Sequence, residues 1–252
     1  MTKLGGEIAR LQGQGYGVIP PDQFRIDIEP EFLAHWERVS PYTMTSLERG
    51  YALYQAVGHV CDRHIPGDFV ECGVWRGGSC MLIALVLLAR GETERRIYLY
   101  DTFSGMTEPS AEDRIAWNGR SVREKWEADR EGRGHYFTGW AVGADEVREN
   151  LRSIGWPEGR TCLVEGDVAT TLNEVVPQSV AVLRLDTDWY ASTARELEVL
   201  YPRLERGGVL LIDDYGHFKG ARKAVDDYFR DPARSILLSR VDYTGRMGVK
   251  LT

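Results

Sequence analysis

The sequence lacks the long apolar run that a membrane-spanning helix requires. Its longest apolar stretch, residues 81–89, falls well short of the roughly 20 residues that cross a bilayer. The first residues carry no apolar segment of the signal-peptide type, so we expect a cytoplasmic protein that does not bind membranes. Basic residues are not in excess either: 31 of them face 38 acidic residues, for a net charge of −7. This balance argues against a partner that is a nucleic acid.

Cysteine is scarce, with four residues in a chain of 252. No two of them form a CxxC pair, and Cys72 and Cys80 lie in or beside apolar runs. This pattern favours reduced, buried thiols over disulfides or a zinc site. The length suits a single domain that can bury a large core without such cross-links.

Apolar, strand-like runs alternate with helix-like segments through most of the chain. The alternation predicts an α/β fold with a mostly parallel sheet, helices on both faces, and an antiparallel hairpin at the C-terminal end. The predicted strands are 68–72, 97–100, 161–165, 179–185, 208–212, 236–241 and 247–251. The predicted helices are 29–39, 45–63, 78–90, 144–154, 168–176, 193–206 and 219–229.

We interpret residues 1–252 as one domain with two irregular additions. Residues 1–45 form an N-terminal arm, which Pro20-Pro21 interrupts. Residues 104–141 are charged and contain scattered aromatic side chains. Because irregular segments of this length are uncommon in compact domains, we predict that they form a lid over the substrate. Thr45 precedes Glu48 by three residues, the spacing of a capping box, so we expect Thr45 to cap the next helix.

Two acidic clusters follow the fourth and fifth predicted strands. Asp186 and Asp188 form the first cluster, and Asp213 and Asp214 form the second. In open α/β sheets, ligands bind beyond the carboxyl ends of the strands. Carboxylates gathered there need a cation, a proton or a hydrogen-bond partner, and an all-oxygen set suits Mg²⁺, Mn²⁺ or Ca²⁺ better than Zn²⁺. We therefore predict a site for a hard cation, with a salt-bridged surface loop as the alternative.

The other strand ends carry features that are typical of a nucleoside site. A glycine-rich turn, VECGVWRGGS at residues 70–79, follows the first strand but matches neither GxGxxG nor the phosphate-binding loop. Asp101 ends the second strand, where an acidic residue can accept hydrogen bonds from ribose hydroxyls or cap a helix. Asp167 follows the third strand and could cap the next helix, lie beside an adenine, or do both. His217 follows the second acidic cluster, and the sequence assigns it no role.

Three motifs now stand in order: VECGVWRGGS, YLYDTFSGM and LRLDTDWYAST…GGVLLIDDYGHFKGARKAVDDY. Together they resemble the macrocin O-methyltransferase family, which consists of metal-dependent sugar O-methyltransferases of antibiotic biosynthesis. The resemblance covers about residues 41–228 and includes no motif of the arm or of residues 107–140. It implies the class I, Rossmann-like methyltransferase fold, S-adenosylmethionine and Mg²⁺ (or Mn²⁺) as cofactors, a glycosylated small-molecule acceptor such as a macrolide, and a homo-oligomer.

The resemblance also implies a role for individual residues. Asp186, Asp213 and Asp214 would bind the metal ion, and Asp188 would be the general base. The residues that would bind the cofactor are Thr43, Thr45, Glu71, Gly73, Ser79, Asp101, Phe103, Gly166, Asp167 and Asp186.

Other functions compete with this interpretation. A nucleotide-dependent oxidoreductase would share the sheet, but the missing GxGxxG and the clustered carboxylates argue against it. A metal-dependent hydrolase would use the carboxylates but would have no need of the glycine turn and Asp101. A non-catalytic binding protein could retain the same fold. Within methyltransferases, a catechol O-methyltransferase is the nearest alternative, because it also uses Mg²⁺ and adjacent hydroxyls.

Overall fold

The computed structural model describes residues 3–18, 24–92, 94–137 and 139–251, so the predicted break at Pro20-Pro21 lies outside the described residues. The chain divides into two compact units, residues 1–34 and 35–252. The first unit contains helix α1 (Lys3–Gly13), where the sequence predicted irregular structure. Helix α2 (Pro30–Val39) follows, within one residue of its prediction. None of the helices in the described part of the chain is long and apolar enough to cross a bilayer.

The second unit is built on a seven-stranded sheet in the order β3-β2-β1-β4-β5-β7-β6. Neighbouring strands from β3 to β5 are parallel, whereas β7 runs antiparallel to both β5 and β6. The predicted fold class is therefore confirmed. The strands are β1 (Asp68–Cys72), β2 (Ile97–Asp101), β3 (Thr161–Glu165), β4 (Val180–Leu185), β5 (Leu204–Ile212), β6 (Ser239–Arg240) and β7 (Arg246–Val249).

Helices connect and cover the strands. In chain order they are α3 (Leu47–Asp62), α4 (Gly78–Ala89), α5 (Arg123–Arg130), α6 (Ala144–Ser153), α7 (Val168–Thr171), α8 (Tyr190–Leu200) and α9 (Lys219–Tyr228). Helix α4 is apolar on all sides, and ten of its twelve residues are buried. It can bury its whole circumference because it packs against α3, α6 and β2 at once.

The centre of the sheet is covered on both faces. All six residues of β4 are buried and five of them are apolar, which explains why its sequence does not alternate between apolar and polar residues. From β1 the chain moves outward to β2 and β3, and it then returns to β4 on the other side of β1. This reversal of strand order opens a crevice at the carboxyl ends of β1 and β4, the usual ligand site of such sheets.

Several element boundaries differ from the prediction. Ser46 caps α3, because its side chain accepts the Arg49 backbone N–H; the prediction that Thr45 is the cap was wrong. Helix α8 ends at Leu200, six residues early, since Pro202 cannot donate a helical hydrogen bond. The predicted helix 168–176 is a single turn, and the first strand of the terminal hairpin is only two residues long.

Residues 104–141 are only partly irregular. They contain α5, and Ile115 forms a β-bridge with Phe218 on the loop that precedes α9. Asp113 is buried and accepts hydrogen bonds from the backbone N–H and the hydroxyl of Ser110 and from the backbone N–H of Tyr190, the first residue of α8. This carboxylate joins the segment to the start of the helix that follows the first acidic cluster.

We expect Asp113→Ala to lower the free energy of unfolding by about 1–3 kcal/mol, because partly buried donors at Ser110 and Tyr190 lose their acceptor. Urea unfolding followed by circular dichroism measures this change. Glu112→Ala, an exposed neighbour, is the control and should change the stability little. Equal stabilities of the two variants would show that Asp113 does not anchor the segment.

Candidate active site

A cleft lies at the carboxyl ends of the parallel strands. Its main cavity has a volume of about 220 Å³, and a narrower one of about 60 Å³ adjoins it. Gly73, Asp101 and Asp186 line both cavities, so the two form a continuous cleft.

The structure brings nearly all of the predicted site residues to this cleft. Those lining the main cavity are Thr43, Thr45, Glu71, Gly73, Ser79, Asp101, Asp186, Asp188, Asp213 and Asp214. Gly166 and Asp167 line the narrower cavity. Phe103 is buried and lines neither; its backbone N–H instead donates to Asp101.

The glycine turn after β1 closely approaches the end of β4. Gly73 has a φ of +82°, and a Cβ atom there would lie 2.0 Å from the carbonyl oxygen of Asp186, so only glycine fits. The Asp101 carboxylate accepts the backbone N–H groups of Val74 at 2.6 Å, Trp75 at 3.2 Å and Phe103 at 2.8 Å. Asp101 thus organises this turn and is not a helix cap.

The two predicted acidic clusters meet as one. Asp186, Asp188 and Asp214 each offer a carboxylate oxygen, and these oxygens all lie within 4.8 Å of one another. Asp188 has a φ of +69°, an unusual backbone conformation for a residue other than glycine. Strain of this kind is concentrated at functional sites. The oxygen-only donor set fits a hard cation such as Mg²⁺ or Mn²⁺.

Burial raises the pKa of all three carboxyl groups. The pKa of Asp186 and of Asp214 lies well above the usual range, because desolvation and the nearby carboxylates disfavour the charged form. The pKa of Asp188 is raised to about 8, again mainly by burial, with Asp186 and Asp213 adding repulsion. A cation bound among them would offset both the desolvation and the repulsion.

Asp213 lies beside this trio, but both of its carboxylate oxygens contact arginine side chains. Its Oδ1 accepts a hydrogen bond from Arg184 at 2.5 Å, and its Oδ2 pairs with Arg49. Arg49 also contacts Asp242 at 3.1 Å, and Thr45 Oγ1 is 3.4 Å from Asp213 Oδ1. The roles predicted for Asp213 as a ligand and Asp188 as the base remain predictions.

The sequence analysis did not identify Arg49 and Arg184 as site residues. With all groups ionised, the five carboxylates of Glu71, Asp186, Asp188, Asp213 and Asp214 exceed the two guanidinium groups by three charges. The available signal for Arg184 was its position: it is the charged residue in the apolar run 179–185.

The narrower cavity has the features of the predicted nucleoside end. Gly166 has a φ of +135°, which lets the chain turn sharply after β3. The Asp167 side chain accepts the backbone N–H of Ala169 at 2.8 Å and so caps α7. The capping prediction for Asp167 is confirmed, and contact with an adenine remains a prediction.

Aromatic side chains form the opposite wall of the main cavity. Tyr136 and Trp140 come from the predicted lid segment, while Phe218 and Tyr243 come from loops near the second acidic cluster. His217 also lines the cavity, with its Nδ1 3.2 Å from the Tyr243 hydroxyl. The sequence analysis noted the aromatic side chains of residues 107–140, but no feature of the sequence identified Tyr243 as a residue of the cavity.

A buried carboxyl group supports the turn between Asp186 and Asp188. Glu196 on α8 is fully buried, and its Oε1 accepts a hydrogen bond from the Thr187 hydroxyl at 2.7 Å. Its Oε2 has no partner among the described residues. Burial raises the pKa of Glu196 to about 8, and the negative charge of Asp167 adds to the shift. The folded protein therefore holds Glu196 protonated at neutral pH.

This shift predicts how Glu196→Gln changes the pH dependence of stability. From pH 4.5 to about 8, the folded state retains a proton that the unfolded state loses, so the free energy of unfolding of the unsubstituted protein falls as the pH rises. Glutamine imitates the protonated acid and removes this contribution. We expect the melting temperature of the variant to exceed that of the unsubstituted protein by several degrees at pH 8, with the gain shrinking towards pH 5.

Glu198→Gln, on the exposed side of the same helix, is the matched control and should leave the pH slope unchanged. Thermal melts at half-unit pH intervals measure both variants. Parallel curves for Glu196→Gln and the unsubstituted protein would contradict the raised pKa.

Comparison with known proteins identifies the family. The profile of the macrocin-O-methyltransferase (TylF) family matches residues 33–247. A Streptomyces olivaceus relative, 8-demethyl-8-(2,3-dimethoxy-alpha-L-rhamnosyl)-tetracenomycin-C 4'-O-methyltransferase, is 38% identical over 221 residues, which cover 87% of this chain and 79% of the relative. The demethyldecarbamoylnovobiocin O-methyltransferase of Streptomyces niveus is 32% identical over 74% of this chain and 67% of its own.

A solved structure agrees with these sequence matches. The O-methyltransferase NovP superposes with a TM-score of 0.72 at 30% identity, over 84% of this chain and 83% of NovP. The fold, the cleft at the reversal of strand order and the matched residues lead to one conclusion. The chain belongs to the macrocin-O-methyltransferase (TylF) family and is an O-methyltransferase.

Proposed function

We propose that this protein transfers a methyl group from S-adenosylmethionine to a sugar hydroxyl of a glycosylated natural product, and that it needs Mg²⁺ or Mn²⁺ to do so. The meeting of Asp186, Asp188 and Asp214 within 4.8 Å, at the base of a cleft with an aromatic wall, is the observation that carries the proposal.

Two parts of the cleft fit the two parts of S-adenosylmethionine. Gly73 in the turn lines both cavities, so a ligand can lie beside its backbone, and the Asp101 carboxylate at the edge of the turn is suited to ribose hydroxyls. Gly166 and Asp167 line the narrower cavity, which is the candidate site of the adenine ring. Thr43, Thr45 and Ser79 are the candidates for the methionine carboxylate.

The metal ion has two possible ligand sets in this cleft. The family resemblance implies Asp186, Asp213 and Asp214, with Asp188 free to act as a base. The geometry brings Asp188 together with Asp186 and Asp214, while Arg184 and Arg49 hold the two oxygens of Asp213. Asp213 can join the ligands only if Arg49 releases Oδ2, whereas Asp188 needs no such exchange.

The chemistry follows from this arrangement. A bound divalent ion would lower the pKa of an acceptor hydroxyl, and bound S-adenosylmethionine would supply the electrophilic methyl group. Asp188 would take the hydroxyl proton, since it is buried and borders the same cavity. Holding both substrates in one cleft, with the acceptor oxygen in line with the methyl group, removes much of the entropic barrier.

The acceptor assignment rests on the relatives and on the aromatic wall. The Streptomyces olivaceus enzyme is named for a rhamnosyl-bearing acceptor. Tyr136, Trp140 and Tyr243 line the main cavity, and rings of this kind combine an apolar body, against which the C–H groups of a sugar can pack, with a polar atom. We further propose that the protein forms a homo-oligomer, as the family resemblance implies.

Paired substitutions separate the base from the ligands. We expect Asp188→Asn to lower turnover at least about 100-fold while Mn²⁺ and S-adenosylmethionine still bind, because a general base contributes this much to the rate. Asp213→Asn should instead lose both Mn²⁺ binding and activity. Electron paramagnetic resonance of free Mn²⁺ and calorimetry with S-adenosylmethionine measure the two affinities. Full turnover by Asp188→Asn would exclude it as the base, and loss of Mn²⁺ binding in that variant would make it a ligand.

An acceptor panel tests the substrate class. We expect methylated products from rhamnosyl natural products and not from simple catechols, detected by mass spectrometry with added Mg²⁺. Trp140→Ala should raise the KM for the glycosylated acceptor several-fold and leave the affinity for S-adenosylmethionine unchanged, since Trp140 lines the main cavity but is not among the residues assigned to the cofactor. Methylation of catechols alone would show that the acceptor is an aromatic diol and not a sugar.

A further inference from the structure

A charged side chain lies in the middle of the buried parallel sheet. Arg184 belongs to β4, where the other five residues are apolar, and it is only 3% exposed. In the sheet register it stands between Glu71 of β1 and Leu211 of β5. Burying a guanidinium group in this position is costly unless it is fully paired, so its contacts identify what it does.

The contacts of Arg184 reach the ends of three strands. Its Nη1 donates to Glu71 Oε1 at 2.5 Å and to Asp186 Oδ2 at 2.7 Å, and its Nη2 donates to Asp213 Oδ1 at 2.5 Å. Glu71 is itself buried, and the Cys80 thiol donates to its other oxygen at 2.6 Å. A planar guanidinium fixes the direction of each hydrogen bond, which a lysine ammonium does not.

These contacts orient carboxylates that line the cavity. Arg184 contacts Oδ2 of Asp186, so Oδ1 is the oxygen of Asp186 that it leaves uncontacted. It contacts Oδ1 of Asp213, and the other oxygen of that carboxylate, Oδ2, pairs with Arg49. One guanidinium therefore sets which oxygen of each aspartate is available.

We propose that Arg184 is a positioning residue for metal binding: its guanidinium orients Asp186 and Asp213 so that the oxygens it does not contact can coordinate a divalent cation, that of Asp213 once Arg49 releases it. This inference rests on the proposed metal-dependent function. The positioning role and simple electrostatics predict opposite changes in metal affinity when Arg184 is neutralised. A fixed positive charge beside a cation site repels the cation, so charge alone predicts tighter metal binding when Arg184 is neutralised. Positioning predicts weaker binding.

The test removes Arg184 together with Glu71, the fully buried carboxylate with which it pairs. The double variant Glu71→Gln/Arg184→Gln replaces the inner ion pair with two neutral amides, and Glu71→Gln alone is its reference because Arg184 still contacts both aspartates. Arg90→Gln, which breaks an exposed pair with Asp62, controls for the loss of an arginine. Mn²⁺ affinity is read from the electron paramagnetic resonance of free Mn²⁺, and circular dichroism melts report whether each variant is folded.

We expect the Mn²⁺ Kd of the double variant to rise about 10- to 100-fold over that of Glu71→Gln, the usual effect of losing a residue that orients metal ligands. Arg90→Gln should bind Mn²⁺ as the unsubstituted protein does. Arg184→Lys retains the positive charge but not the planar guanidinium that fixes the directions of the hydrogen bonds, so its Mn²⁺ Kd should rise as well. This second variant keeps the test valid if the double variant does not fold.

The outcomes separate this inference from the proposed function. Equal or tighter Mn²⁺ binding by the double variant or by Arg184→Lys would overturn the positioning role and leave the metal-dependent function standing. Absence of Mn²⁺ binding by the unsubstituted protein, with and without S-adenosylmethionine, would overturn both. In active variants, a raised Mn²⁺ activation constant with an unchanged KM for S-adenosylmethionine is the expected kinetic result, since a general loss of structure would change both constants.

Discussion

The ion pairs of Arg184 hold together the edge of the sheet on which the site depends. Its guanidinium contacts Glu71, Asp186 and Asp213, which come from three adjacent strands. Burial raises the pKa values of Asp186 and Asp214, and repulsion between carboxylates placed so close to one another raises them further. The buried arginine limits this repulsion and fixes the directions of the side chains. The remaining negative charge faces the cleft, where a divalent cation is the natural partner.

The segment between β2 and α6 is coupled to the same edge. Asp113 accepts the first backbone N–H of α8, and Ile115 pairs with Phe218, four residues after Asp214. The indole Nε1 of Trp75, in the glycine turn, donates to the carbonyl of Gly139 at 2.8 Å. Residues that would contact the acceptor are thus fastened to loops that carry the acidic cluster and the cofactor turn. Changes in this segment are expected to alter the geometry of catalysis as well as acceptor choice.

Much of the site could be predicted because position along a strand carries chemical meaning in an α/β sheet. Glu71, Asp101, Asp167, Asp186 and Asp213 each lie at or just beyond the end of an apolar run, and the crevice of such a sheet is formed by those ends. Local signals were less dependable where two residues could serve equally. Thr45 and Ser46 both have side chains that can cap a helix, and only the path of the backbone into α3 selected Ser46. The end of α8 was predicted six residues too late for a different reason, because Pro202 cannot continue the helix beyond Leu200.

The order of strands and helices, the class of fold and the placement of acidic residues at strand ends could all be read from the sequence, because these depend on periodicity and on neighbours along the chain. How those residues share partners became visible only in the folded protein. Arg184 reaches Glu71, 113 residues earlier, and Arg49 reaches Asp213, 164 residues later. The Glu196 carboxyl, buried beneath the turn at Thr187, and the aromatic wall completed by Tyr243 arise in the same way. Contacts of this range follow from packing the helices and loops around the sheet, and no local pattern in the chain encodes them.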